Sequence, residues 1–427
     1  VEAGRFEEGT AYVTFDGHAT GDMKTYVYRT RDYGQTWESL ATADVKGYAH
    51  VIRQDIVNPR LLFLGTEFGL YVSIDDGANW AQYTGNLPAV AVRDIAIHPR
   101  EGDLILATHG RGIYILDDIS PLRQLTPQVL ESEVAFLASR PAVLAIPTSE
   151  QRFDADGEYV APSPEANAWI TYYLKKRHVF GDLKLEILDD KGAVLYSAPG
   201  GKRRGINRFD WPMRLKGPRA PAATTLGGDL FALLGPLVPE GTYTVKMTKG
   251  NEVLTSQVRL TADPRSRHSA EDRAVARGTA LQLYQLIERL TFLTDAMVDL
   301  RGKAEELSRK LAADDGTRKR LEAFAASLED LRGTLVSRRE GMITGENKLR
   351  EKLLTLYGMV NGYEGRPTQS QLQRMAALGK ELQAATAKFD GMTQGELSAI
   401  NAELAGKQLG PLNLLSEEEW KKRQERK

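Results

Sequence analysis

Apolar positions along the 427-residue chain change their period twice. Through the first 122 residues they fall in short β-type runs, TYVYR, LYVS and IYIL, whose Tyr, Val and Ile suit a pleated, half-buried surface. Each run leads into an aspartate-bearing octet: TRDYGQTW (Thr30 to Trp37), SIDDGANW (Ser73 to Trp80) and LDDISPLR, so that Asp32, Asp75 and Asp118 recur every 43 residues. Upstream, DIVNPRLLFLGTEFGLY matches DIAIHPREGDLILATHGRGIY, with the extra residues expected at a turn near Glu101 to Asp103. From Leu122 to Pro164 the chain is apolar but irregular, with Pro at 127, 141, 147, 162 and 164, and reads as a packed connector over 123–165.

Alternation then returns. AWITYYL, LKLEIL, INRFDW, GTYTVKM and SQVRL are strand candidates, separated by the turn signals DDKG, PEG and KGN. Tyr243, Val245 and Met247 share one predicted face, Thr244 and Lys246 the other. The pattern predicts an antiparallel, Ig-like β-sandwich over 166–265, with Trp211 and Tyr243 as core aromatics rather than a carbohydrate-stacking platform.

After Asp263-Pro264-Arg265 the period lengthens. Leu283, Leu286, Leu290, Leu293, Met297, Leu300, Ala304, Leu307 and Leu311 step by three and four residues, the seam of a coiled-coil-like helix. DDGT (Asp314 to Thr317) makes a turn, and Leu321, Phe324, Leu328, Leu331 and Leu335 repeat the spacing, so a second helix folds back on the first. Further amphipathic stretches run over 347–360, 370–390 and 395–405, giving an antiparallel helical bundle over 266–427 whose apolar stripes close on each other. The tail SEEEWKKRQERK alternates acid and base and reads as a solvated end.

A 43-residue period of several short strands is the mark of β-propeller blades. The predicted fold is therefore multidomain β + α: a partial β-propeller over 1–122 (the last two to three blades), the sandwich and the bundle. In each octet the short carboxylate accepts N–H bonds from its own turn, Gly34 and Gly77 take positive φ, and Trp37 and Trp80 bury their rings beneath the hairpin. Thr30, Asp32, Gly34, Thr36, Trp37, Ser73, Asp75, Gly77 and Trp80 are accordingly structural. Asp32 and Asp75 are poor candidates for catalytic carboxylates, because a carboxylate engaged in its own turn is unavailable as acid or nucleophile. In the third copy Gly and Trp are lost and Pro121 follows, which ends the repeat. Since an arc of three blades leaves strand edges and a blade face bare, Val1 is expected to be the cut end of a longer propeller. The opening VEAGRFEEGTAYVTFDG has neither an initiator Met nor the pattern of a leader, as a mature end or a cut piece would.

Charge narrows the function. Lys plus Arg number 56 and Asp plus Glu 57, so nothing draws the chain to nucleic acid, and no apolar run approaches a membrane span. Cys is absent, which removes disulfides, thiolate metal sites and cysteine nucleophiles. There is no G-x-S-x-G elbow, P-loop, H-E-x-x-H helix or EF-hand; GGKRRG lacks the upstream Gly and the Ser/Thr of a P-loop. Histidines at 18, 50, 98, 109, 178 and 268 do not pair at metal-ligand spacing, so no metal, cofactor or catalytic residue is assigned. Two loop clusters are candidates for ligand binding, against ordinary loop hydrogen bonding: Asp16, His18 and Asp22 between two strands of the first blade, and His109 with Arg111 in THGRG.

The octets resemble the Asp-box, S/T-x-D-x-G-x-T-W, of sialidase-like and sortilin-like propellers, the second copy placing Asn79 at the Thr position. GINRFDW, PEGTYTVKMTKG and TADPR resemble the Ig-like domain of flagellar hook-capping type, through Asn207, Phe209, Trp211, Gly241 and Tyr243. With ATHGRGIYILDDISPLRQL, nearly the whole chain looks like the C-terminal part of bacterial sortilin-like proteins, commonly labelled BNR-repeat or glycosyl hydrolase proteins. That resemblance implies an exported protein, periplasmic, secreted or on the cell surface, with protein or peptide ligands in the sortilin branch and glycans in the hydrolase branch. The cysteine-rich module and membrane helix of animal sortilins are missing, as are the arginine triad and F/Y-R-I-P motif of sialidases and the early-blade aspartates of xyloglucanases. A non-catalytic binding or scaffold protein, whose partners include the remaining blades, is the leading expectation. The alternative is a glycoside hydrolase, a sialidase- or xyloglucanase-like propeller, whose catalytic residues are expected in N-terminal blades missing from this sequence; a periplasmic peptidase accessory factor docking through the bundle is weaker.

Overall fold

The computed structural model describes residues 1–146, 165–222, 232–338 and 347–425. Three consecutive antiparallel sheets open the chain. The first contains β1 (Glu2–Ala3), β2 (Ala11–Phe15), β3 (Tyr26–Thr30) and β4 (Glu38–Ser39). The second contains β5 (Ala49–Gln54), β6 (Leu62–Thr66), β7 (Gly69–Ser73) and β8 (Ala81–Gln82); the third stops at β9 (Val92–Ile97), β10 (Leu104–Thr108) and β11 (Ile113–Leu116).

Because strand side chains alternate, each sheet turns one row toward the sheet before it and one toward the sheet after it. Tyr12 and Val27 of the first sheet share a buried cluster with Leu62, Leu64 and Tyr71 of the second. Phe63 and Leu70, on the second sheet's other face, share one with Val92, Ile95, Leu104 and Leu106 of the third. The approach is close: a Cβ on Gly65 would lie 2.5 Å from the Val92 carbonyl oxygen, so no larger residue fits there. Charged side chains stitch the stack, with Arg29 joined to Asp76 of the next sheet at 2.6 Å and Arg53 reaching Glu2 and Asp94. The register also corrects the expected insertion near Glu101. The third repeat is one residue shorter between β9 and β10 and one longer in the β10–β11 turn, so the 43-residue period is conserved.

The segment read as a connector contributes structure of its own. After the short helix α1 (Pro127–Glu131), β12 (Val134–Leu137) pairs with β14 (Ala168–Leu174), and β13 (Ala142–Leu144) runs parallel to β19 (Glu252–Ala262). VAFL and AVL are too short to carry a visible alternation, and the prolines around them masked it; residues 147–164 of that segment lie outside the described residues. With β15 (Leu183–Leu188), β16 (Val194–Pro199), β17 (Gly205–Trp211) and β18 (Gly241–Lys249), these strands form two sheets, β12-β14-β17 and β13-β19-β18-β15-β16. Both sheets contribute to one core, in which Trp211 and Tyr243 meet edge to face at 5.2 Å and the Tyr243 hydroxyl donates to the Pro239 carbonyl at 2.7 Å.

The rest is helical: α2 (Ala270–Ser308), α3 (Gly316–Leu335), α4 (Leu349–Asn361), α5 (Gln369–Met392), α6 (Ser398–Gly406) and α7 (Glu417–Glu425). Leu283, Leu290, Leu300, Leu321, Phe324 and Leu328 are buried in a common core. Leu286 and Leu307 are only partly buried, and Leu311 lies past the end of α2. Asp315 caps α3 by accepting from the Thr317 N–H. The tail departs from the solvated end expected. Trp420 is buried in that core, donates to Asp295 at 2.8 Å, meets Phe292 edge to face and lies under the Arg219 guanidinium. One large aromatic outweighed the surrounding charge.

Candidate functional site

The antiparallel order sends the turns of each sheet to opposite ends. At one end are the octets, between β3 and β4 and between β7 and β8. Asp32 Oδ1 accepts from the Thr30 hydroxyl and the Thr36 N–H, both at 2.8 Å, and Oδ2 from the Thr36 hydroxyl at 2.6 Å. The Thr36 and Thr30 bonds, with Gln35, hold the Asp32 carboxyl down at about 2. Asp75 repeats the arrangement with Ser73 at 2.8 Å and with the Asn79 N–H and side-chain amide at 2.9 and 2.7 Å, so Asn79 does the work of Thr36. Burial pushes the Asp75 carboxyl up, but these bonds outweigh it and leave it low. Gly34 and Gly77 take φ of 87° and 86°, each following a residue already in the left-handed region, Tyr33 or Asp76. The two tryptophans differ. Trp80 is 5% exposed and donates to the Leu40 carbonyl of the preceding sheet at 2.9 Å. Trp37, expected beneath its hairpin, is 45% exposed and donates at 3.1 Å to Gly34 of its own turn, because no described sheet precedes it.

At the other end lie the β2–β3, β6–β7 and β10–β11 connections and the starts of β5 and β9. The register makes Asp16, Glu67 and His109 equivalent, each following the second strand of its sheet. His50 and Arg93 are equivalent too, both at a shift in the pairing of the first strand of their sheets. Such a bulge re-aims the side chain at a sheet rim.

Four of these five residues converge. Asp16 Oδ1 lies 2.5 Å from His18 Nδ1, and its Oδ2 lies 3.5 Å from His50 Nδ1. His50 Nε2 is 3.1 Å from Glu67, and Arg93 reaches His50 Nδ1 at 3.3 Å and Glu67 at 3.7 Å. Arg93 donates to Nδ1 only when the ring is neutral, and Nε2–H then donates to Glu67. His18 stacks on Tyr48 at 4.7 Å, and Tyr48 meets His50 edge to face.

The His50 side chain is 5% exposed. Burial lowers its pKa, and the Arg93 charge adds to that, against the opposing effects of Glu67 and Asp16. Burial pushes Glu67 up, but His50, Tyr48 and Arg93 bring it below the usual carboxylate range; Asp16 is lowered by His18 against the same opposition. Both carboxylates are therefore ionised at neutral pH.

Of the residues singled out from the sequence, Asp16 and His18 belong to this cluster. The Asp22 carboxylate turns away to the Tyr26 hydroxyl at 2.7 Å and the Lys24 N–H. His109 and Arg111 lie exposed in the third hairpin turn, and among the described residues neither side chain has a hydrogen-bond or ion-pair partner. Sequence reading missed Tyr48, His50, Glu67 and Arg93. The signal was the repeat itself, since YAHVIR and AVAVRD place His50 and Arg93 one period apart. Among the described residues no group of three or more His, Asp or Glu is arranged to hold a metal ion, and no helix is long and apolar enough to cross a membrane.

No protein-family model matches the chain, and no curated protein does. Among solved structures, the chain is similar to PorZ, a bacterial surface component of the type-IX secretion system of Porphyromonas gingivalis (12% identity, TM-score 0.22, 60% of this chain and 30% of that one). It is also similar to the extracellular domain of the one-component system BT4673 from B. thetaiotaomicron (13%, TM-score 0.20, 60% and 30%). A third is YCF48 bound to D1 peptide (12%, TM-score 0.16, 54% and 60%). This chain thus spans under a third of the first two proteins, and at these TM-scores the likenesses carry no weight for its function.

Proposed function

We propose that the chain is part of a non-catalytic binding or scaffold protein of sortilin-like propeller type, which holds a protein, peptide or glycan ligand at the hairpin end of its stacked sheets. The observation that carries this reading is the cluster around His50. A buried imidazole, bonded to Glu67 and Arg93 with the Asp16 carboxylate 3.5 Å away, fixes in place a solvent-facing surface of His18, Tyr48 and Arg93. A stacked aromatic pair beside a guanidinium suits an extended peptide or a sugar ring, and side chains already held against a buried, strand-borne imidazole need little ordering on binding. The two-sheet unit, read as Ig-like, and the helical bundle are attachments in this reading. An exported or surface location belongs to it through the family resemblance alone.

A glycan array and a peptide array probed with the intact protein test the proposal. Ligands retained by the wild type and lost by both His18→Ala and Arg93→Ala support it; ligands retained equally by all three proteins overturn the site.

The second reading, a glycoside hydrolase, is favoured by one observation: two carboxylates, Asp16 and Glu67, flank a single imidazole. Against it, a glycosidase needs one carboxylic acid held protonated, and both of these are pushed the other way. Glycan cleavage abolished by Asp16→Asn or Glu67→Gln would decide for the hydrolase.

A further inference from the structure

The strand register sets two loops side by side at one end of the two-sheet unit. β14 ends at Leu174 opposite Gly205, where β17 begins, so the β14–β15 loop (175–182) lies beside the loop carrying GGKRRG (200–205). Two bonds join them: the His178 N–H donates to the Lys202 carbonyl at 3.0 Å, and Lys202 Nζ donates to the Gly181 carbonyl at 2.8 Å. Gly181 takes φ of 81°, which turns the chain directly after Phe180. The tip so held is apolar and open, with Val179 63% exposed and Phe180 85%. The same two loops carry Lys176, Arg177, Lys202, Arg203 and Arg204, none with an ion-pair partner among the described residues. Of the carboxylates bordering them, Glu131 pairs with Lys175 and Glu252 with Lys249, which leaves Glu133 and Asp182 against those five cations. Neither neighbouring unit covers this end. β18 begins beside Glu240, which holds Arg273 and Arg277 of the bundle, and finishes nine residues later at Lys249 opposite Leu183, roughly 30 Å away. The stacked sheets bond to the unit at Arg140 and Arg208, and among the described residues to neither loop.

We propose that this end is a docking surface for an anionic lipid bilayer, with Val179 and Phe180 entering the interface and the surrounding cations meeting lipid phosphates. A purely charged partner, such as a soluble acidic polymer, would leave the apolar tip in water, and a neutral apolar partner would leave the cations unmatched. An anionic bilayer answers both, with acyl chains beneath a layer of phosphates. One apolar and one cationic signal, each weak alone, together give attachment that is stable yet reversible. The two bonds between the loops present both signals in one fixed arrangement, so little freedom is lost on docking. The chain's net charge of -1 does not oppose this, because in ordinary salt only charges within about 10 Å of the lipid act on it. No residue of the His50 cluster takes part, so this inference stands apart from ligand binding at the hairpin end.

Sedimentation of the intact chain with vesicles tests it. The wild type is expected to pellet with vesicles of equal parts phosphatidylcholine and phosphatidylglycerol, less so in high salt, and to stay in solution with phosphatidylcholine alone. Phe180→Ser should weaken partitioning at least about tenfold, and Arg203→Ser and Arg204→Ser roughly fivefold each. All three side chains are exposed, so the circular dichroism spectrum should not change. In Phe180→Trp the emission should move to shorter wavelength on the mixed vesicles. A wild type that does not pellet with the mixed vesicles overturns the proposal, as does Phe180→Trp emission that they leave unmoved. Pelleting that survives Phe180→Ser undiminished overturns it too, and makes the surface one for soluble polyanions, which dextran sulfate would then bind equally in both proteins.

Discussion

The two ends of the stacked sheets treat their carboxylates in opposite ways. At the octet end Asp32 and Asp75 bond only to residues within four positions of themselves, so each turn is complete alone. At the hairpin end Asp16 and Glu67 are shared with His50, and Glu67 with Arg93, so that the cluster exists only when three sheets are stacked. The first end is therefore a folding device, while the second is made by the stacking itself and is the end to which the proposed function gives the ligand.

The largest effect expected from breaking that contrast is at Asp75. Asp75→Ala removes an ionised acceptor of several hydrogen bonds and should cost about 2–3 kcal/mol, read as faster hydrogen exchange through β7 and β8. Ligand contacts at the far end would change only in proportion to unfolding. His50→Gln should cost about 1 kcal/mol of stability, yet abolish ligand retention, because Arg93 and Glu67 lose the group that aligns them. If stability and retention fall together in both variants, the two ends are not separable.

Acid sharpens the same comparison. His50 has a folded pKa below its ordinary 6.5, so the unfolded chain binds more protons across that window. Its contribution to stability is complete above pH 6.5 and is lost as pH falls through the folded value. Asp32 has the same sign over a lower range, complete above 3.8 and lost toward about 2. Thermal unfolding followed from pH 7.5 to 5 should show the wild type weakening and His50→Gln weakening less, with the octets unaffected until the pH is below 4. The smallest effect belongs to Asn79→Thr, which exchanges one donor pair for the other already seen at Thr36 and should shift stability by under about 0.5 kcal/mol.

How legible each end was in the sequence follows from the same distances. The octets could be read because Thr30, Asp32, Gly34 and Thr36 carry their whole geometry within one short window. His50 and Glu67 are 17 residues apart, and His50 and Arg93 are 43 apart, so only the stacked register joins them. β18 and its alternation were plain because nine residues repeat the pattern, while β12 and β13 offered four and three. The exposure of Trp37 depends on what precedes its sheet, and the burial of Trp420 on Arg219 and Phe292, far back along the chain.

Arg123, just beyond the third sheet, donates twice at 2.9 Å to Asp55 of the second, whose side chain is completely buried, and Asn58 donates to the Arg123 carbonyl. Tension arriving from the two-sheet unit that follows therefore does not stop at the last sheet it reaches. It passes through that guanidinium into the sheet behind, so the exit from the stack behaves as a riveted joint rather than a hinge.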